Sequence, residues 1–164
     1  MDLSIFRWDL DGVLKRLDIG ALGREARTWD DTENGMDIVQ HVNANLDILL
    51  YAPESEYLRP IDNLYRESGQ TLRILTSQRE HWKLYKERWL ADNLTCDWEV
   101  EYSQGIQNKL RHMGADEYLI DDYPYFKNWN QILLVDRPYN RHVEVSVRIC
   151  SPDRLISTMK RLSC

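Results

Sequence analysis

The chain is short of cysteine, of basic charge relative to acid and of long apolar runs, and each shortage closes off a class of function. Its three cysteines, Cys96, Cys150 and Cys164, are an odd number, lie far apart and form no Cys-x-x-Cys pair. That argues against a disulfide framework, a zinc site or a redox dithiol and predicts reduced thiols. Lysine and arginine total 21 against 27 aspartates and glutamates, a net charge of −6. Duplex binding by counterion release needs a broad positive face, so stable duplex binding is not expected. A small anion can still be held, because one or two fixed cations, a metal ion and a few backbone amides suffice locally. No stretch approaches the roughly 18 apolar residues of a membrane span, and no charged leader precedes the first patterned segment, so no membrane contact and a cytoplasmic location are expected. The four histidines, His41, His81, His112 and His142, show neither metal-ligand spacing nor a paired nucleophile.

What the chain does have is enough apolar side chain, 43% of 164 residues, to bury an ordinary core in one domain with a small insertion. Residues 3 to 10 mix apolar and β-favouring side chains and stop at Asp11-Gly12, which predicts a first strand ended by a turn. From residue 15 to 57 the composition turns polar and acidic, broken at Asp30-Asp31 and Asn34-Gly35, and then Ile38, Val39, Val42, Leu46, Leu49 and Leu50 recur at helical spacing. This segment is read as a small helical cap inserted after the first strand, leaving 1–14 and 58–164 as the core domain. Arg59-Pro60 opens a helix stopped by Gly69, "TLRILTS" (71–77) is a second strand, and Trp82, Tyr85, Trp89 and Leu90 mark a helix over about 79–91. Residues 98–102 form a short strand, Ser103 caps a helix through Met113, and "EYLIDD" (117–122) and "QILLVD" (131–136) are further strands. Strict alternation over 143–149 predicts a half-exposed edge strand, and Ser151-Pro152 starts a last helix.

Strands alternating with helices predict an α/β fold: a Rossmann-like, mainly parallel sheet flanked by helices. Ligands bind such sheets just past the strand C-termini. Here those ends carry Asp9 and Asp11, then Thr76 and Ser77, then Asp121 and Asp122. Asp-Gly alone is a common turn, and a single acid at a strand end can cap the next helix. Several carboxylates at one rim repel one another unless a divalent cation lies among them, and an oxygen-only set suits Mg²⁺. The Thr76 hydroxyl and a lysine would complete a pocket for a phosphoryl group, whose transfer depends on positioning and charge neutralisation.

At these residues the sequence resembles the haloacid dehalogenase superfamily of aspartate-nucleophile phosphatases. "DLDGVL" (9–14) matches the first motif, Asp-x-Asp-Gly-(Thr/Val)-(Leu/Val); "LRILTS" matches the second through Thr76; "YLIDD" matches the acidic fourth. "ILTS", "LIDDYPYFKNW" and "ILLVDRPYNR" look like the 5'(3')-deoxyribonucleotidase family within it. The resemblance implies that Asp9 attacks phosphorus, that Asp11 handles the proton, that Asp9, Asp11, Asp121 and Asp122 hold Mg²⁺, and that Thr76 and Ser77 bind phosphate. It implies a phosphate-binding lysine too, taken as Lys86 in "KERWL", with Lys109, ahead of the fourth strand, as its rival. Gln78 stands where that family has proline, Lys15-Arg16 replace acidic or aromatic residues, and the 40-odd residues of the cap match no pattern. Trp29, Tyr51 and Tyr57 are the cap-region aromatics taken as a surface for a base, while Tyr139 and Asn140 are given no catalytic role.

The expected partner is therefore a small phosphorylated molecule, a (deoxy)nucleoside monophosphate on the subfamily resemblance. A phosphatase for another small phosphomonoester or a nucleic-acid 3'-phosphate is the enzymatic alternative, and a non-catalytic nucleotide-binding module of the same fold the other. A homodimer is left open.

Overall fold

The computed structural model describes residues 1–77 and 79–163, so Gln78 and Cys164 lie outside the described residues. The fold is α/β, with a six-stranded sheet in the order β5-β4-β1-β6-β7-β8 and every pairing parallel. Its strands are β1 (Phe6–Trp8), β4 (Leu72–Ser77), β5 (Trp98–Ser103), β6 (Tyr118–Asp121), β7 (Ile132–Val135) and β8 (Arg148–Ile149). From β1 the chain moves outward to β4 and β5, then crosses back to β6 and outward again through β7 and β8. This is the Rossmann-like arrangement, and its direction reverses between β1 and β6.

The two faces of the sheet are covered differently. On one, α4 (Leu58–Ser68), α5 (Lys83–Asn93) and α6 (Pro152–Leu162) enclose the larger core, built on Phe6, Trp8, Leu72, Ile74, Ile120 and Leu133. Each such fully buried side chain contributes roughly 1.5–3 kcal/mol. On the other, Leu75, Leu119 and Ile132 are covered by Phe126 and by a single 3₁₀ segment, Ile106–His112. Alternation along the strands puts Asp9 and Asp121 on this second face with Leu75 and Leu119. Lys109, carried by the 3₁₀ segment, is thereby brought to the acids.

Residues 15–57 fold as α1 (Leu17–Leu22), a hairpin of β2 (Thr32–Glu33) and β3 (Met36–Asp37), α2 (Ile38–Ala44) and α3 (Ile48–Tyr51). The expected Asn34-Gly35 break is the hairpin turn, with φ of 54° and 77°, the positive-φ pair that a two-residue turn requires. The helical spacing over 38–50 is divided between α2 and α3 at Asn45, which takes an extended conformation. The two chain crossings into this segment are tied together: Arg16 N–H donates to the Pro53 carbonyl (2.8 Å), Ser55 N–H to the Leu14 carbonyl (2.9 Å), and Lys15 pairs antiparallel with Glu54.

Three further expectations are corrected. The helix from Ser103 to Met113 is a 3₁₀ segment, because Ser103 still belongs to β5 and Gly105, at φ 87°, turns the chain before Ile106. The strand over 143–149 shrinks to Arg148–Ile149, because Arg148 folds back onto the carbonyls of Asn140 and Val143 and holds the preceding loop off the sheet. It does stand at the sheet edge, but Ile149 is fully buried. The first strand is limited to three residues by the turn in which Phe6 N–H bonds the Leu3 carbonyl. Proline at Pro152 and the Ser151 cap, whose hydroxyl accepts from Arg154 N–H, start α6 as the sequence predicts.

Candidate active site

The site lies where the strand order reverses. Asp9 continues the ladder of β1, its N–H donating to the Ile120 carbonyl at 2.9 Å. Since Trp8 is in register with Ile120, Asp9 and Asp121 stand side by side at the strand ends. Beyond Asp9 the chain closes a tight loop: the N–H groups of Leu14 and Lys15 both reach the Leu10 carbonyl, at 3.0 and 2.9 Å, and Gly12 N–H donates to the Lys15 carbonyl at 2.7 Å. Gly12 has φ of 84°, and a Cβ built on it would lie 2.0 Å from Asp122 Oδ2. Only glycine admits this approach of the loop to β6.

Asp9, Asp121 and Asp122 are all buried and offer carboxylate oxygens within 4.8 Å of one another. The ammonium of Lys109, itself buried, stands 2.8 Å from Asp9 Oδ1 and 2.8 Å from Asp121 Oδ2. Asp121 Oδ1 also accepts the Tyr123 N–H at 2.8 Å. Burial pushes the Asp9 carboxyl up to about 6, the Lys109 charge opposing this while Asp121 and Asp11 reinforce it. Asp122 is pushed well above the usual carboxylate range, first by burial and then by the charges of Asp121 and Asp9. Burial would lower Lys109, but Asp121 and Asp9 outweigh it and hold the ammonium above its ordinary value. Lys109 thus meets two of the three buried acids, and the remaining negative charge with an oxygen-only donor set is the chemistry that a hard divalent ion fits.

Asp11 lies outside that cluster. One of its oxygens, Oδ2, receives the ammonium of Lys86, and the other, Oδ1, is buried with no hydrogen-bond partner among the described residues. Lys86 is buried on α5 with its ammonium 5.4 Å from the centre of the Trp82 ring. The two lysines weighed from the sequence therefore both reach the site and divide its acids: Lys109 takes Asp9 and Asp121, Lys86 takes Asp11. Thr76, buried at the end of β4, stands level with Leu10 by the Trp8–Ile74 register, and half-buried Ser77 follows it.

Residues given no role from the sequence support the site. The Tyr139 hydroxyl donates to Asp122 Oδ2, Asn140 Nδ2 to the Asp122 carbonyl (2.9 Å) and the Val135 carbonyl (2.8 Å), and Arg137 Nε to the Gly12 carbonyl (2.8 Å). The segment 137–140 therefore braces both the Gly12 loop and Asp122. "RPYN" was the available signal, but the sequence does not reveal what it touches. Lys15, part of a departure from the family pattern, is wholly buried; its ammonium donates to the Leu49 carbonyl and lies 5.0 Å from the Trp89 ring centre. Burial brings it down to about 7, Asp11 opposing and the like charge of Lys86 adding to the fall.

A cavity of about 290 Å³ opens above Asp11, Gly12 and Asp122, with α1, Ala26, Thr28, Trp29, Asp30 and the start of α2 as its walls. Of the three cap-region aromatics, Trp29 lines it, edge-on to Tyr123 at 5.1 Å and Tyr139 at 5.7 Å. Tyr51 and Tyr57 are not brought there. Tyr51 is 79% exposed at the end of α3. Tyr57 is a core residue, its ring against the Arg137 guanidinium and its hydroxyl bonded to the Ile149 carbonyl at 3.3 Å; it is buried because it directly precedes α4, which packs on the sheet.

No protein-family model matches the chain, and no curated protein matches it. Among the described residues no helix is long and apolar enough to cross a membrane.

Proposed function

We propose that the protein is a Mg²⁺-dependent phosphomonoester hydrolase that works through an aspartyl-phosphate, of the haloacid dehalogenase type that its motifs resemble, acting on (deoxy)nucleoside monophosphates. The observation that carries this reading is the meeting of Asp9, Asp121 and Asp122 within 4.8 Å at the reversal of the strand order, with Lys109 between two of them. Asp9, Asp121 and Asp122 would hold the ion, with Asp11 beside them at the loop; when bound it would neutralise phosphate and carboxylate charge together.

Asp9 attacks phosphorus, forming the Asp9 O–P bond as the bond to the ester oxygen breaks. Asp11 supplies the proton to the departing alkoxide, and the carboxylate then takes a proton from the water that displaces Asp9, releasing inorganic phosphate and restoring both acids. The two oxygens of Asp11 suit this: Oδ2 is fixed by Lys86, and Oδ1 has no other partner to give up. Lys109 is the better placed of the lysines to meet phosphoryl charge, since it already sits on the attacking carboxylate, whereas Lys86 orients the acid. Thr76 and Ser77 at the end of β4 would hydrogen-bond the phosphate, and residues 15–57 would act as a cap that keeps bulk water from the centre.

Phosphate release from a nucleoside monophosphate panel, with Mg²⁺ or EDTA and with Asp9→Asn, tests the reading. Activity should require the metal and disappear in the variant; unaltered turnover by Asp9→Asn would remove the covalent mechanism.

A further inference from the structure

The cavity above the acids has walls of one charge sign. Asp11, Asp18, Asp30, Asp37 and Asp122 line it, and among the described residues no lysine, arginine or histidine does. Apart from Thr28, the remaining side chains are mostly apolar: Leu17, Ile38, Val39 and the rings of Trp29 and Tyr139. The five acids are not equivalent. Asp11 and Asp122 belong to the catalytic floor, and Asp18 is matched by the Arg16 guanidinium at 2.8 Å, which approaches from outside the cavity. Asp37 caps α2 by accepting the Gln40 N–H at 2.8 Å. Asp30 is exposed and has no hydrogen bond or ion pair among the described residues. The cations around the cavity are already engaged: Lys86 by Asp11, Lys109 by Asp9 and Asp121, Arg137 by Glu56, and Arg24 and Arg27 by Asp31.

Resting on the phosphatase reading, we infer that Asp30 and Asp37 form a charge filter for the alcohol half of the substrate: the cavity accepts a flat group that is neutral or cationic and rejects one bearing a second anion. A phosphoryl group would be balanced at the floor by Lys109 and a divalent ion. A carboxylate or second phosphate on the same molecule would face Asp30 and Asp37 with no opposing cation, in a half-enclosed space where Coulomb repulsion is less screened than in bulk water. A flat neutral ring gains apolar contact with Trp29 and Tyr139, and a cationic arm gains attraction to the rim and to the ring faces. The filter selects monophosphates of single small alcohols over diphosphates and over the terminal phosphate of a nucleic acid, whose neighbouring phosphates would lie against the acids.

Three aryl monophosphates of one shape test it: 4-(aminomethyl)phenyl, 4-methylphenyl and 4-(carboxymethyl)phenyl phosphate, each assayed with Mg²⁺. The first two should have kcat/KM values within a few-fold of each other and the third a value at least tenfold lower, mostly through KM. The gap should narrow as salt is raised, narrow in Asp30→Asn and reverse in Asp30→Lys, both changes being at an exposed position. Equal kcat/KM for all three, or a gap untouched by salt and by both Asp30 variants, overturns the filter while leaving the phosphatase standing. No phosphate release from any of the three overturns the phosphatase reading itself, and the filter with it.

Discussion

The Lys109 ammonium stands 2.8 Å from Asp9 Oδ1, as close to the carboxylate that would attack phosphorus as to that of Asp121. Lys86, on the opposite face of the sheet, holds Asp11 instead. Substitution by methionine should separate the two roles. Lys109→Met should lose activity by about 10²-fold or more on every ester, because it strips charge from the site where, on the proposed mechanism, phosphoryl charge would develop. Lys86→Met should act through Asp11, the proposed proton donor, costing more on an alkyl phosphate, whose alkoxide needs a proton, than on 4-nitrophenyl phosphate, whose leaving group does not. An equal loss on both esters would place Lys86 on the phosphate rather than behind Asp11.

Gly12 is required by contact as well as by conformation. In Gly12→Ala the new methyl would fall 2.0 Å from Asp122 Oδ2 at a φ of 84°, so either the loop or the Asp122 carboxylate must move. The expected outcome is Mg²⁺ binding weakened by at least about tenfold, on the scale of losses from displaced supporting groups, with stability reduced by about 1 kcal/mol or more from the positive φ. Isothermal titration with Mg²⁺ and a urea melt of the metal-free protein read the two effects separately.

The fold and the acids of this site were legible in the sequence because both rest on local signals. A strand's apolar pattern stops where its acids begin, so Asp9, Asp121 and Asp122 announce their own position at a sheet rim. Side chains delivered from a distance carry no such mark. Lys109 and Lys86 each look like solvated helical lysines until the crossing of the 3₁₀ segment and of α5 is known. Tyr139 and Asn140 follow a strand by a few residues and read as turn formers, although both bond Asp122 from 17 and 18 positions away. Tyr57 misled for the converse reason: its place in the polar segment suggested a wall residue, and its contact with β8 through Ile149 is set by the packing of α4. The alternation over 143–149 was a true strand period overridden by the Arg148 contacts of the preceding loop.

Tyr139 should act on the proposed metal site as a positioning residue. Its hydroxyl donates to Asp122 Oδ2, and Trp29 packs edge-on against its ring. Tyr139→Phe removes the donor and keeps the ring, so Asp122 loses orientation without a cavity forming. Mg²⁺ affinity should fall by about 10- to 100-fold, as for other groups that orient a ligand from behind, and kcat should recover substantially at saturating Mg²⁺. Unchanged Mg²⁺ dependence would make the hydroxyl a packing feature only.

Asp62, away from the site, gives a pH dependence whose sign follows from its contacts. It is buried on α4 and accepts the N–H groups of Thr95 and Cys96, both at 2.8 Å, and the Thr95 hydroxyl at 2.7 Å. Burial raises its pKa, but these bonds to the ionised form outweigh it and leave the carboxyl below its ordinary value. Between the folded and unfolded pKa values the unfolded chain binds the extra proton, so stability rises with pH there. The contribution is complete above the unfolded value of about 3.9 and is lost as pH falls through the folded one. Asp62→Asn keeps the shape and loses the charged acceptor, so it should be less stable by about 1–2 kcal/mol at pH 7, with a gap that is flat from pH 8 to 5 and closes below about pH 4. Urea melts of the two proteins across that range check it; a gap that widens in acid would mean that the turn at Thr95 and Cys96 is held by shape rather than by the carboxylate.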